Sequence, residues 1–166
     1  MSEEEIMNYG GPVHYLPYRE VIKPDSTSTP LRIVINSSAQ FRGHNMNEYL
    51  AKGPDMLNNL AGVLMRFREK YVAIAGDISQ MFLSINIAHR DQMLHLFLWR
   101  DLKDKEQPDT YAIQVVNFGE KPSGAIALAA LRETANKFKN EFPNESECVK
   151  ENSYMDDILD SVDDTE

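Results

Sequence analysis

Two adjacent carboxylates, Asp156 and Asp157, stand between segments that read as strands, Cys148 to Met155 before them and Ile158 to Val162 after them. An acid pair bracketed by strand formers constrains the fold to a small set of places. In the turn of a hairpin, both side chains project from one edge of a sheet, where cations that take oxygen ligands can reach them. Taken alone, the pair reads first as two solvated turn residues, as most adjacent acids are.

The rest of the chain bounds what such an edge can belong to. With 166 residues, 42% of them hydrophobic, the chain has enough material for one domain with its own core. No apolar run is long enough to span a bilayer, and the acidic start Met1-Ser2-Glu3-Glu4-Glu5 has the wrong sign for a signal or transit peptide, so an intracellular location is expected. The single cysteine, Cys148, excludes an internal disulfide and a thiolate metal site, and reads as a small buried residue rather than a nucleophile. The net charge of −9 argues against nucleic-acid binding until its distribution is considered. Residues 1–5 hold three acids and residues 156–166 hold six, with no base in either, so the body between them balances 17 acids against 17 bases. A neutral body still lacks the basic stripe of a self-sufficient nucleic-acid binder.

In chain order, a polar segment with a helical turn at Glu3 to Tyr9 ends in Gly10-Gly11-Pro12. Val13 to Lys23 is rich in strand formers, with Pro17 confining it to an edge or a bend. Pro24 to Pro30 is a turn by composition, and Leu31 to Asn36 is the returning strand. Lys23 and Arg32 flank that turn, either converging at its mouth or standing as solvated bases. A long connection over residues 37–54 contains a short helix at Met46 to Ala51. Asp55 is expected to cap a helix whose stripe Met56, Leu57, Leu60, Val63, Leu64 and Phe67 belongs to the core, with Arg66 and Arg68 at its C-terminal end.

Tyr71 to Gly76 is a nearly all-apolar run, predicted to be a strand buried on both faces and ending at Asp77. An acid at the exit of a buried strand is costly unless a cation, a metal or donors at the sheet edge meet it. Gly76 reads as a site of close backbone approach or as a bulge. Leu83 to Ile87 is a further predicted strand; Met93 to Trp99 and Thr110 to Val116 pair around a turn at Asp101 to Asp109. His89 and His95 have no partner at metal-ligand spacing and read as surface or half-buried histidines. Asn117 to Gly124 leads into a helix from Ala125 to Phe142, closed by Pro143; this glycine-containing entry serves either phosphate binding or helix initiation alone. The order of hairpins and two helices able to cover one face of an antiparallel sheet is an α+β layout.

Three stretches of this order resemble motifs A, B and C of reverse transcriptases: Ala75-Gly76-Asp77-Ile78-Ser79-Gln80-Met81-Phe82, Phe118-Gly119-Glu120-Lys121-Pro122-Ser123-Gly124-Ala125, and Tyr154-Met155-Asp156-Asp157-Ile158-Leu159-Asp160-Ser161. Val21 to Thr27 and Leu31 to Val34 resemble the fingers hairpin of the same enzymes, while Tyr49 to Pro54 and Phe97 to Arg100 are similar to the Bel/Pao group of long-terminal-repeat retrotransposons. The resemblance spans residues 13–162. It implies a polymerase palm, a ferredoxin-like antiparallel sheet covered by helices on one face, over residues 54–84 and 120–162. It also implies a partial, discontinuous fingers subdomain over residues 13–53 and 85–119, between acidic tails at 1–12 and 163–166.

The same resemblance implies an RNA-directed DNA polymerase that adds dNTPs to a primer 3′-hydroxyl on an RNA or DNA template. Two Mg²⁺ ions, or Mn²⁺, would be held by Asp77, Asp156 and Asp157 with the carbonyl of Ile78. Lys23 and Arg32 would meet the triphosphate; Gln80, Met81, Phe82 and Gly119 would line the nucleotide, Phe82 excluding a 2′-hydroxyl. Phe118 stands where retroviral enzymes carry Gln, and Asn36 where an Asp is expected. Thumb, connection and ribonuclease H regions do not follow the motif C hairpin, so weak or absent polymerisation is expected of the chain alone. An incompetent remnant with a binding or structural role keeps the same motifs. A receiver-type phosphoacceptor would place its acid pair early in a parallel α/β order, and here the pair comes last.

Overall fold

The computed structural model describes residues 2–25, 30–101 and 105–164. Along it run α1 (Glu3–Asn8), β1 (Tyr18–Ile22), β2 (Leu31–Ile35), α2 (Met46–Tyr49), α3 (Leu60–Arg66), β3 (Val72–Asp77), a 3₁₀ turn (Phe82–Ser84), α4 (His89–Gln92), β4 (Leu96–Trp99), β5 (Asp109–Ala112), α5 (Ser123–Phe138), α6 (Pro143–Asn152), β6 (Ser153–Tyr154) and β7 (Asp157–Val162). Every ladder between these strands is antiparallel, in three sheets: β1–β2, β4–β5 and the three-stranded β3–β7–β6. Parts of two expected turns, Ser26–Thr29 and Leu102–Asp104, and the terminal Thr165 and Glu166 lie outside the described residues. The chain divides into two compact units, residues 1–51 with 86–123 and residues 52–85 with 124–166. No helix among the described residues is long and apolar enough to cross a membrane.

In the first unit the β1–β2 hairpin runs in register from Tyr18↔Ile35 to Ile22↔Leu31. Pro17 keeps the segment before it out of the strand: residues 14–16 instead pair with the start of β4, Leu16 N donating to Leu96 O at 2.7 Å and Leu96 N to His14 O at 3.1 Å. Leu16, Met46, Met93, Leu96 and Val116 form the buried core of this unit. Tyr18 meets Phe97 edge-on, and Phe97 stacks on Tyr111 across β4–β5.

In the second unit several expectations are corrected. Asp55 accepts from Leu57 N at 3.1 Å in a local Asx turn, which leaves Asn59 to cap α3 by accepting from Gly62 N at 3.1 Å. The helix is therefore four residues late, and of its apolar stripe Val63 is buried while Leu57, Leu60 and Leu64 are exposed. Residues 143–152, whose second half was expected to be strand, form α6: Pro143 does not end α5 but takes the first turn of the next helix, where its missing N–H costs nothing. Residues 83–87 make no strand, because the Gln80 carbonyl accepts from Ser84 N and Oγ at 3.1 Å each and curls the chain locally.

The strand β3 is the largest departure. It pairs with β7 continuously from Val72↔Val162 to Asp77↔Asp157, with no bulge at Gly76. It is not buried on both faces: Ala73 to Asp77 are all exposed. The reason is topological, since β3 is an edge strand and α3 and α6 pack against β7 instead. Arg66 binds these helices together, its Nε donating to Asn152 Oδ1 at 2.5 Å and its Nη2 to the Glu151 carbonyl. Asn152 Nδ2 in turn donates to Asp160 Oδ1 at 2.8 Å, and Ser161 Oγ to the Arg66 carbonyl at 2.6 Å, which anchors β7.

Candidate active site

The hairpin between β6 and β7 has a two-residue loop, and its composition differs from the expectation. Tyr154 pairs with Asp157, so the loop is Met155–Asp156 and Asp157 opens the strand. Met155, the first residue of this loop, has φ 56°, a positive value that glycine usually supplies in two-residue hairpin loops. That conformation in a side chain with a Cβ costs on the order of 1–2 kcal/mol.

Register then gathers the acids. Asp77, the last residue of β3, lies directly across from Asp157, and Ile78 N donates to the Asp156 carbonyl at 2.8 Å. Three carboxylates thus belong to one end of one sheet, Asp77 and Asp157 exposed and Asp156 half-buried. Among the described residues no base or side-chain donor engages any of the three. Ile78 O accepts from Met81 N at 3.2 Å. Gln80, exposed, has φ 53°, and Met81 and Phe82 behind it are buried. Phe82 is 8% exposed, a core position in this unit.

Lys23, Arg32 and Gly119 belong to the other unit. Arg32 pairs with Val21, and Lys23 N donates to the Pro30 carbonyl at 2.7 Å, so the ladder continues past the strand ends. Val21 and Lys23 share one face of β1's path, which places Lys23 and Arg32 diagonally on the same face of the hairpin, both exposed. Gly119, at φ 86°, lies in a separate loop.

That loop is held by side chains that sequence reasoning passed over. Asn47 spans it, Nδ2 donating to Gly119 O at 2.9 Å and Oδ1 accepting from Lys121 N at 2.9 Å. His95, read from sequence as a surface or half-buried residue, is 7% exposed. Its Nδ1 donates to Asp91 O at 2.8 Å and its Nε2 to Glu120 Oε2 at 3.1 Å, while Ser37 Oγ donates to Glu120 Oε1 at 3.3 Å. A backbone carbonyl and a carboxylate both accept, an arrangement that favours the doubly protonated imidazole. Burial alone would push its pKa down, but the hydrogen bond and charge of Glu120, helped by Asp91, carry it above its ordinary value. His14 is pushed down by burial and by the charge of His95. The sequence signal for this pair was the placement of His95 between Leu94 and Leu96 inside an apolar run.

Cys148 is half-buried on α6 and its thiol is pushed up to about 11, by burial first and then by Asp160, which leaves it un-ionised at neutral pH. A cleft of 560 Å³ beside it, lined by Arg66, Asn152 and Asp160 among others, contains none of Asp77, Asp156 or Asp157. For a hard divalent cation, the three oxygen donors at the sheet end have the right chemistry. Their side chains are not drawn together: among the described residues no group of three or more His, Cys, Asp or Glu is placed to hold a metal ion.

A mixed α/β chain with antiparallel sheets, ending one sheet in this acid-bearing hairpin, has a reverse-transcriptase-like fold. The solved structure of the protease-reverse transcriptase of prototype foamy virus matches it with a TM-score of 0.63 and 20% sequence identity over 92% of this chain. At that identity the likeness is one of fold, and this chain spans 17% of the foamy virus chain. No protein-family model matches the chain, and no curated protein sequence does.

Proposed function

We propose that this chain is the fingers and palm portion of a reverse transcriptase, an RNA-directed DNA polymerase domain, with residues 13–53 and 85–119 as fingers and residues 54–84 and 120–162 as palm. The observation that carries the reading is the pairing of Asp77 with Asp157 across one ladder, with Asp156 in the adjoining turn. Asp77 and Asp156 would hold two Mg²⁺ or Mn²⁺ ions, with Asp157 and the carbonyl of Ile78 as further oxygens. When bound, these ions activate the primer 3′-hydroxyl and neutralise the triphosphate and the leaving pyrophosphate. The chain's own residues bind and orient: Lys23 and Arg32 take the phosphates, Arg by its forked donors. Phe82, with Gln80 and Met81, forms the floor under the sugar, and the open left-handed Gly119 leaves room for the nucleotide or template. A Bel/Pao origin is supported by Tyr49 to Pro54, Phe97 to Arg100 and the aromatic Phe118.

The test is primer extension on a primed RNA template with dNTPs and Mn²⁺ at high chain concentration. Slow single-nucleotide addition, abolished by Asp156→Asn, is expected. Addition that persists in Asp156→Asn contradicts the assignment. One observation favours a second reading, a catalytically incompetent remnant with a structural or binding role: the three carboxylates are not gathered as a metal site. No addition, together with no carboxylate-dependent cation binding, selects that reading.

A further inference from the structure

The loop from Asn117 to Ser123, which carries Gly119, is fastened within the first unit by three sets of contacts. Ser123 Oγ donates to Asn117 O at 2.5 Å, Asn47 grips Gly119 O and Lys121 N, and Glu120 is held between His95 and Ser37. The third set carries charge and is buried, its His95 and Glu120 side chains being 9% and 6% exposed. The start of the same loop is unfinished: Asn117 is 8% exposed, and its Nδ2 has no hydrogen-bond partner among the described residues. A buried donor without an acceptor leaves its desolvation uncompensated, so the closed loop is held against a cost that opening relieves.

We propose that His95 and Glu120 form a proton-operated latch, which holds the Gly119 loop closed while the imidazole carries both protons and releases it when one is lost. A neutral ring has a single N–H. If Nδ1 keeps it for Asp91 O, the Nε2 lone pair faces the Glu120 carboxylate; if Nε2 keeps it, Nδ1 faces the Asp91 carbonyl. Either way two acceptors oppose each other in a buried site. The charged groups that reach the ring are Glu120 from the loop, Asp91 from α4 and His14 from the segment before β1. The exit of β2 contributes the neutral Ser37, and the residue after β5 a backbone N–H, Ile113 N donating to His95 O at 2.9 Å. Burial opposes the second proton, and the bond and charge of Glu120, with Asp91, outweigh it. The pair is therefore intact below a folded pKa that lies above 6.5, and the loop opens as pH rises through it. His14, pushed down by burial and by His95, has lost its proton before that window. On the function proposed above, in which Gly119 lies against the nucleotide or template, the latch makes His95 and Glu120 positioning residues for that subsite; the latch itself rests on the loop's own contacts.

Hydrogen exchange of the full chain, read by mass spectrometry over residues 117–123 and corrected for the intrinsic exchange rate, tests the latch. It uses no metal, nucleotide or turnover, so failure of the latch and failure of the polymerase assignment are read separately. In the parent, protection of this segment is expected to fall as pH rises from about 6.5 to about 9, by up to about tenfold per pH unit above the folded pKa, while β4 stays protected. His95→Gln is expected to give low protection that does not change with pH. Glu120→Gln inverts the profile: its amide donates to the neutral Nε2 while Nδ1–H keeps Asp91 O, so protection survives at high pH, where the parent has lost it. The parent and Glu120→Gln decide the matter even where His95→Gln does not fold. Parental protection that is flat or rises over this range overturns the proposal, as does a profile in either variant that follows the parent's.

Discussion

Asp77 and Asp157 stand directly opposite each other across the β3–β7 ladder, two like charges that no base among the described residues compensates. Directly opposed like charges destabilise an antiparallel pair by a few tenths of a kcal/mol to about 1 kcal/mol. Asp157→Asn is therefore expected to raise the free energy of unfolding by about 0.5 kcal/mol in chelator-treated buffer, measured by urea titration. Loss of stability in that variant would mean that the two carboxylates do not repel.

The turn between β6 and β7 supplies an independent check. Because Met155 holds φ 56°, Met155→Gly is expected to stabilise the chain and Met155→Val to destabilise it, each by about 1 kcal/mol. Urea midpoints that move in the same direction for both variants would contradict a left-handed residue at 155.

Gly119 isolates backbone cost from packing cost. Its φ is 86°, yet nothing lies within 4 Å of the place a Cβ would take. Gly119→Ala should cost about 1–2 kcal/mol in thermal or urea unfolding, from conformation alone. A neutral substitution would show that the loop is not held in this conformation.

The buried His95–Glu120 pair makes stability depend on pH in a definite sense. A histidine whose folded pKa lies above the unfolded value near 6.5 stabilises fully below that value, and the contribution is lost as pH rises through the folded pKa. His14 acts in the opposite sense: its lowered pKa makes folding less favourable as pH falls from about 6.5 through its folded value. The stability of the parent minus that of His95→Gln is expected to decline as pH rises above about 6.5. Glu120→Gln should cost about 3 kcal/mol below that pH, where it leaves a buried imidazolium without its counter-charge. A difference curve that is flat, or that rises with pH, would contradict the pairing.

What was legible in the sequence follows what local chemistry can decide. The β1–β2 hairpin and the antiparallel character of the sheets were readable because apolar alternation, Pro24 and Pro30 punctuate the strands. Asp77 stood out because it ends a strand-like run, and Asp156 and Asp157 because they lie between two such runs. What failed depended on tertiary order. An apolar run at 71–76 reads as buried, but burial is set by whether β3 is central or at an edge, and only the β3–β7–β6 order decides that. Pro143 closes one helix or opens the next with the same residue chemistry. His95 and Glu120 are 25 residues apart, and no spacing rule joins them.

The central claim, that Asp77, Asp156 and Asp157 form a divalent-cation site, is tested most directly by Mn²⁺ titration followed by electron paramagnetic resonance. The account expects saturable binding by the parent chain that weakens at least about tenfold in both Asp77→Asn and Asp156→Asn. Identical Mn²⁺ binding by the parent and by a chain carrying both substitutions would contradict it.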